Sequence, residues 1–144
     1  MSVLDRAVLA ERAMAVDRHL ARVAARLPKS ADELRPASDA SDAVVLHLWQ
    51  ATQIVIDLGT TACVVLGVGT PASYADAFRK LQGAGIIPVE LADRLVKAAG
   101  FRNLVAHAYE TLDMRRVHLA ASEGPADLRR FLALLGDHVT GGAA

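Results

Sequence analysis

The segment FRNLVAHAYETL, residues 101–112, gathers an arginine, an amide, an imidazole and a phenol in a short run: Arg102, Asn103, His107 and Tyr109. An α-helix turns roughly 100° per residue, so with Arg102 at zero, Ala106 falls near 40°, Glu110 near 80°, Asn103 near 100°, His107 near 140° and Tyr109 near −20°. Those positions occupy about half of the cylinder. Phe101, Leu104, Val105, Ala108 and Leu112 fill the other half and are expected to pack. The polar set suits phosphate chemistry: a guanidinium binds phosphate oxygens bidentately, an imidazole moves a proton near neutral pH, and an amide orients either. A solvated or partner-facing helix surface shows the same arc, and on pattern alone that is its commoner meaning.

Other reactive side chains are scattered. His19, His47, His118 and His138 show no metal-ligand spacing with one another or with the single cysteine, Cys63, so no metal site is expected and these histidines read as surface or packing residues. Trp49 and Phe78 fall at helical positions and read as core or dimer contacts. The GVGTP run near Gly69 lacks the lysine and hydroxyl of a phosphate loop and reads as a helix stop.

The elements that must position the motif are helical throughout, because apolar residues recur at the helical period and strand-like alternation is missing. A first helix is expected from about residue 3 to 27, where Pro28 opens the polar linker PKSADELRPASDASD, with room for one short turn. Ser41 or Asp42 is expected to cap a long helix through VVLHLWQATQIVIDLGTTACVVLG. Ser73 caps SYADAFRKLQ, GAG closes it, and Pro88 supplies the first helical position of PVELADRLVKAAG. The motif segment continues or resumes that helix. Asp113 caps MRRVHLAAS, Gly124 and Pro125 are expected to kink or split the helix there, and the last helix, ADLRRFLALLGDHV, gives way to a frayed tail at about 140–144. The expectation is an all-α fold, an antiparallel bundle of four or five helices forming one domain over residues 1–144.

Composition agrees. With 144 residues, 53% of them hydrophobic but only six aromatic, the core must be built from Ala, Leu and Val, which favours packed helices. Sixteen basic residues balance sixteen acidic ones, which excludes a uniformly cationic nucleic-acid coat but not a local patch. A lone cysteine excludes an intrachain disulfide and points to a reducing, cytoplasmic setting. The N-terminal run MSVLDRAVLAERAMAV is broken by charges and reads as an amphipathic helix, not a signal peptide. The apolar stretch 44–68 is interrupted by His47, Gln50, Gln53, Asp57, Thr60 and Thr61, so it reads as a buried helix, not a membrane span.

Arg102, four residues, His107, one residue, Tyr109 resembles the signature of the HepT family, a branch of the HEPN superfamily. The upstream block PASYADAFRKLQGAGIIPVELADRLVKAAGFRN is similar to the family's order of elements, and the resemblance covers residues 43 to about 117. It implies a HEPN-like bundle and a metal-independent ribonuclease toxin of a type VII toxin–antitoxin pair, needing no cofactor. Its substrate would be RNA and its antitoxin an MntA-type minimal nucleotidyltransferase, with the site formed between motif helices of a homodimer. Carried over, Arg102 and His107 are catalytic, Asn103 orients, and Tyr109 accepts AMP from the antitoxin. Arg79, Lys80, Arg94, Lys97, Arg115 and Arg116 are candidates to line an RNA groove or are ordinary surface charges. The alternative is a non-catalytic nucleotide- or partner-binding HEPN module associated with a nucleotidyltransferase.

Overall fold

Residues 4–139 are described by the computed structural model, and the expected start at residue 3 and the tail from 140 lie outside them. Five helices come in order: α1 (Arg6–Arg26), α2 (Asp39–Val65), α3 (Tyr74–Gly83), α4 (Val89–Ala108) and α5 (Met114–Gly136). Short 3-10 turns at Ala31–Glu33 and Tyr109–Thr111 interrupt the connections, and the described residues contain no strand. None of their helices is long and apolar enough to cross a membrane.

Local chemistry sets most boundaries. Asp5 accepts the Val8 amide and starts α1, which ends at Leu27 because the residue before Pro28 is pushed out of helical geometry. Buried Leu34 pins the linker, whose single short turn matches expectation. The cap of α2 is Ser38, not Ser41 or Asp42. Ser38 Oγ accepts the Ser41 amide while Ser41 Oγ accepts the Ser38 amide, a reciprocal box that satisfies two otherwise orphan donors. Asp42, relieved of the capping role, lies in the first turn with its carboxylate available.

Gly67, at φ 72°, supplies the left-handed residue that closes α2, with the Val68 amide donating back to Cys63 O. Ser73 caps α3 as expected, and Gly85 ends it in the same left-handed way. Pro88 sits one position earlier than expected: its extended ψ of 159° makes it the cap of α4, and Val89 is the first helical residue. The helix then runs unbroken through Gly100 into the motif.

Of the kink or split expected at Gly124 and Pro125, the split does not occur, and α5 carries Pro125 internally. Val117 and Ala121 are buried on one side of the proline, and Leu128, Phe131, Leu132 and Leu135 on the other. Packing both halves outweighs the roughly 3 kcal/mol that an interior proline costs a helix.

α2 is the central element, about 40 Å long at 1.5 Å per residue, and it touches each of the other four helices. Side-chain pairings give the directions. Gln53 meets Arg102 and Asp42 meets Tyr109, so α2 and α4 are antiparallel. Arg94 meets Asp127 and Glu90 meets Arg130, so α4 and α5 are antiparallel too. The core closes on Phe78 and Phe131, both fully buried, edge to face at 5.6 Å between ring centres.

Candidate functional site

The motif lies on the last turns of α4 and the adjoining 3-10 turn. Arg102 is half-buried and points at α2. Its Nε donates to Gln53 Oε1 at 2.6 Å and its Nη1 to Asn103 Oδ1 at 3.1 Å. The guanidinium lies over the rings of Trp49, at 5.2 Å, and Tyr74, at 5.4 Å, a cation–π arrangement that fixes its plane. Gln53 is itself oriented, since its Nε2 donates to Asp57 Oδ1 at 2.9 Å. Two of the five N–H donors of Arg102 are thus engaged and three remain for a ligand.

Asn103, Ala106 and His107 are exposed, as the projection requires. Among the described residues His107 has no hydrogen-bond or ion-pair partner, and in this it differs from every other histidine of the chain. His19 Nδ1 and His47 Nδ1 meet at 3.0 Å, His118 bonds Pro28 O at 2.8 Å, and His138 bonds Leu134 O at 3.1 Å. Of the residues expected to pack, Val105 alone is fully buried; Phe101, Leu104, Ala108 and Leu112 are half-buried at the bundle's edge.

Tyr109 departs from the projection. Regular helix stops at Ala108, whose φ of −140° and ψ of 36° precede the 3-10 turn, so Tyr109 does not share a ridge with Arg102. Its phenol, on a residue 45% exposed, donates to Asp42 Oδ1 at 2.5 Å. That bond, with burial and the charge of Asp42 adding to it, pushes the phenol pKa up to about 12. The α2 partners of Arg102 and Tyr109 stand eleven residues apart, about 16 Å along the helix.

Asp42, Gln53, Trp49 and Tyr74 are therefore supporting residues that the motif itself does not reveal. Asp42, Leu46, Trp49 and Gln53 fall at i, i+4, i+7 and i+11, within about 60° of one another, a partly exposed stripe along α2. That spacing puts the three α2 residues on one face of the helix but does not report which motif group each meets.

The six cations near the motif separate. Arg79 pairs with Asp93 at 2.7 Å, Lys80 with Asp76 at 3.8 Å and Arg115 with Asp32 at 3.8 Å, all on the surface. Arg94, Lys97 and Arg116 line a cleft of about 450 Å³ between α4 and α5, whose buried lining residues are Leu48 and Thr52 of α2 and Leu128. Burial raises the pKa of Asp127 in this cleft, and Arg94, 3.7 Å away, opposes the rise. On α4 the cleft residues lie near −40° to −140° by the same 100° step, and neither Asn103 nor His107 lines the cleft. One subunit therefore does not join these cations to His107 in a single groove.

Relatives carry the same architecture. A curated mRNA nuclease HepT from Shewanella oneidensis is 28% identical over 94 residues, 65% of this chain and 71% of that protein. The structure of a tri-AMPylated Shewanella oneidensis HEPN toxin in complex with its MNT antitoxin superposes with a TM-score of 0.80, at 22% identity, covering 90% of this chain and 96% of that one. A toxin–antitoxin structure with AMP-PNP gives a TM-score of 0.79 at 21% identity, covering 88% and 96%. The family model for ribonuclease HepT-like proteins matches residues 16–135, from mid-α1 to the last turn of α5, and the chain belongs to that HepT-like family.

Proposed function

We propose that this chain is an RNA-cutting toxin of a toxin–antitoxin pair, acting without a metal ion at a site completed by a second copy of itself. The observation that carries the reading is the contrast within a short stretch of one helix: a guanidinium held rigid with three donors free, and an exposed imidazole with no partner among the described residues. An RNA 2′-hydroxyl can attack the adjacent phosphorus once its proton is removed and the extra charge on phosphorus is balanced. His107 moves the proton, Arg102 balances the charge, and Asn103, bonded to Arg102, orients the pair.

One imidazole does not serve as base and acid in the same step, so a second motif helix is required, and a homodimer supplies it. Leu46, 50% exposed, and half-buried Trp49 flank the motif and offer an apolar margin for that contact. Tyr109 is the acceptor of AMP from an MntA-type nucleotidyltransferase antitoxin, a reading supported by the AMP-modified state of the Shewanella toxin.

The test is incubation with messenger RNA in EDTA, the substrate suggested by the curated relative's name. Cleavage by the wild type that disappears in His107→Ala is the expected result. Binding of RNA or nucleotide without cleavage in either protein leaves the non-catalytic module instead. Light scattering showing a strict monomer at micromolar concentration removes the composite site.

A further inference from the structure

RNA cleavage as proposed employs Arg102, Asn103 and His107 and leaves one short polar contact unassigned. Asp42 stands in the first turn of α2, where the Ser38–Ser41 box has already satisfied the helix end. Its carboxylate has no hydrogen bond or ion pair among the described residues except the 2.5 Å bond from Tyr109. No other charged group perturbs the phenol. Both residues are exposed, so a second protein can reach the phenol oxygen from outside while Asp42 holds its proton from within.

The phenol is also hard to ionise in this seat, so very little phenolate exists at neutral pH. A neutral phenol is a weak nucleophile and becomes a good one when a positioned base takes its proton during attack. We propose that Asp42 is the base for transfer of AMP to Tyr109, supplied by the modified chain to the partner nucleotidyltransferase. This rests on the reading of Tyr109 as the acceptor. In the step, Tyr109 Oη attacks the α-phosphorus of the partner's ATP and an O–P bond forms. The bond from that phosphorus to the bridging oxygen breaks, pyrophosphate leaves with the electron pair, and the phenolic proton passes to Asp42 Oδ1 and then to water. The product phosphodiester, with one negative charge, then faces the restored carboxylate, so the modified side chain leaves its seat and does not re-form the bond. Asp42 acts only on the phenol, so it serves the first AMP and not any later one added to the first.

The experiment tracks AMP addition by intact mass, using full-length chain, the partner nucleotidyltransferase, ATP and magnesium. Wild type, Tyr109→Phe and Asp42→Asn are compared from pH 6.5 to 9. Tyr109→Phe should stay unmodified. Asp42→Asn should add its first AMP about 100-fold or more slowly at neutral pH, the usual scale for a lost general base. Free phenolate must then do the work, so the wild-type to variant rate ratio should fall about tenfold per pH unit. A merely structural loss gives a ratio that does not change with pH. Asp42→Ala must show the same slope, which guards against a folding defect peculiar to the amide. A pH-independent ratio, or wild-type rates in both variants, overturns the role of Asp42 alone. An unmodified wild type beside a demonstrably active partner overturns the Tyr109 reading and the base with it.

Discussion

Two regions of this bundle use histidine in opposite ways. Where α1 meets α2, His19 and His47 stack at 5.3 Å with their Nδ1 atoms 3.0 Å apart, and burial lowers both pKa values. At the end of α4, His107 is exposed and bonded to nothing among the described residues, while Arg102, five residues before it, is tied down on several sides. The first arrangement ties the facing ring nitrogens to each other and takes them away from any substrate. The second holds the charge in place and leaves the proton carrier open. Residue type alone does not separate structural from chemical histidines; their partners do.

Mutation at the motif should give the largest effects and should split it. His107→Ala is expected to lower RNA cleavage by about 10²–10⁴-fold, the range for a lost proton-transfer group, with no change in melting temperature. Arg102→Ala is expected to lower cleavage comparably and also to destabilise the fold by about 1–3 kcal/mol, since a stacked, hydrogen-bonded guanidinium is lost from a half-buried place. Arg102→Lys keeps the charge but not the fork, and should restore little of either. Melting curves and cleavage rates on the same preparations check the split. A His107→Ala protein that melts like Arg102→Ala would erase the difference between a held and a free group.

A smaller effect is expected at Tyr109. Difference absorption between wild type and Tyr109→Phe should show little phenolate until near pH 12, and Asp42→Asn should bring that onset down toward the ordinary value of 10.0. An unchanged onset would mean that the contact with Asp42 does not persist in solution.

The helices are legible in the sequence because they depend on local rules: apolar residues at the helical period, an Asp or Ser before most starts, a glycine after α2 and α3. The features that depart from expectation depend on distant partners or on two local rules in competition. Ser41 and Asp42 both have the chemistry of caps, and the box that hands the role to Ser38 uses a serine where Glu or Gln is usual. Pro125 reads as a break because its local cost is known, whereas the packing that overrides it comes from the other helices. The motif residues are visible as a spacing, but their supports are not. Gln53 and Asp42 lie 49 and 67 positions before the groups they hold, and no periodicity reports a contact of that range. Projecting past Ala108 as if the helix continued also puts Tyr109 on the wrong ridge.

The smallest expected effect belongs to the satisfied pair. Burial is the main reason that His19 and His47 titrate below 6.5, with the positive charge of Arg22 acting on both, and His47 and Arg18 adding to the effect on His19. Between the two Nδ1 atoms only one proton fits, because one ring must donate and the other accept. The unfolded chain accepts protons near 6.5 that the folded pair resists, so the unfolded state holds more protons and stability rises with pH in this range. The contribution is fully present above about 6.5 and is lost as pH falls through the lowered folded values. Tyr109, raised to about 12, acts at far more alkaline pH. Melting temperature should therefore fall between pH 7.5 and 5.5, and the fall should shrink in His47→Asn, whose amide keeps a polar partner for His19 without titrating. A slope left unchanged in His47→Asn would overturn the role assigned to this pair.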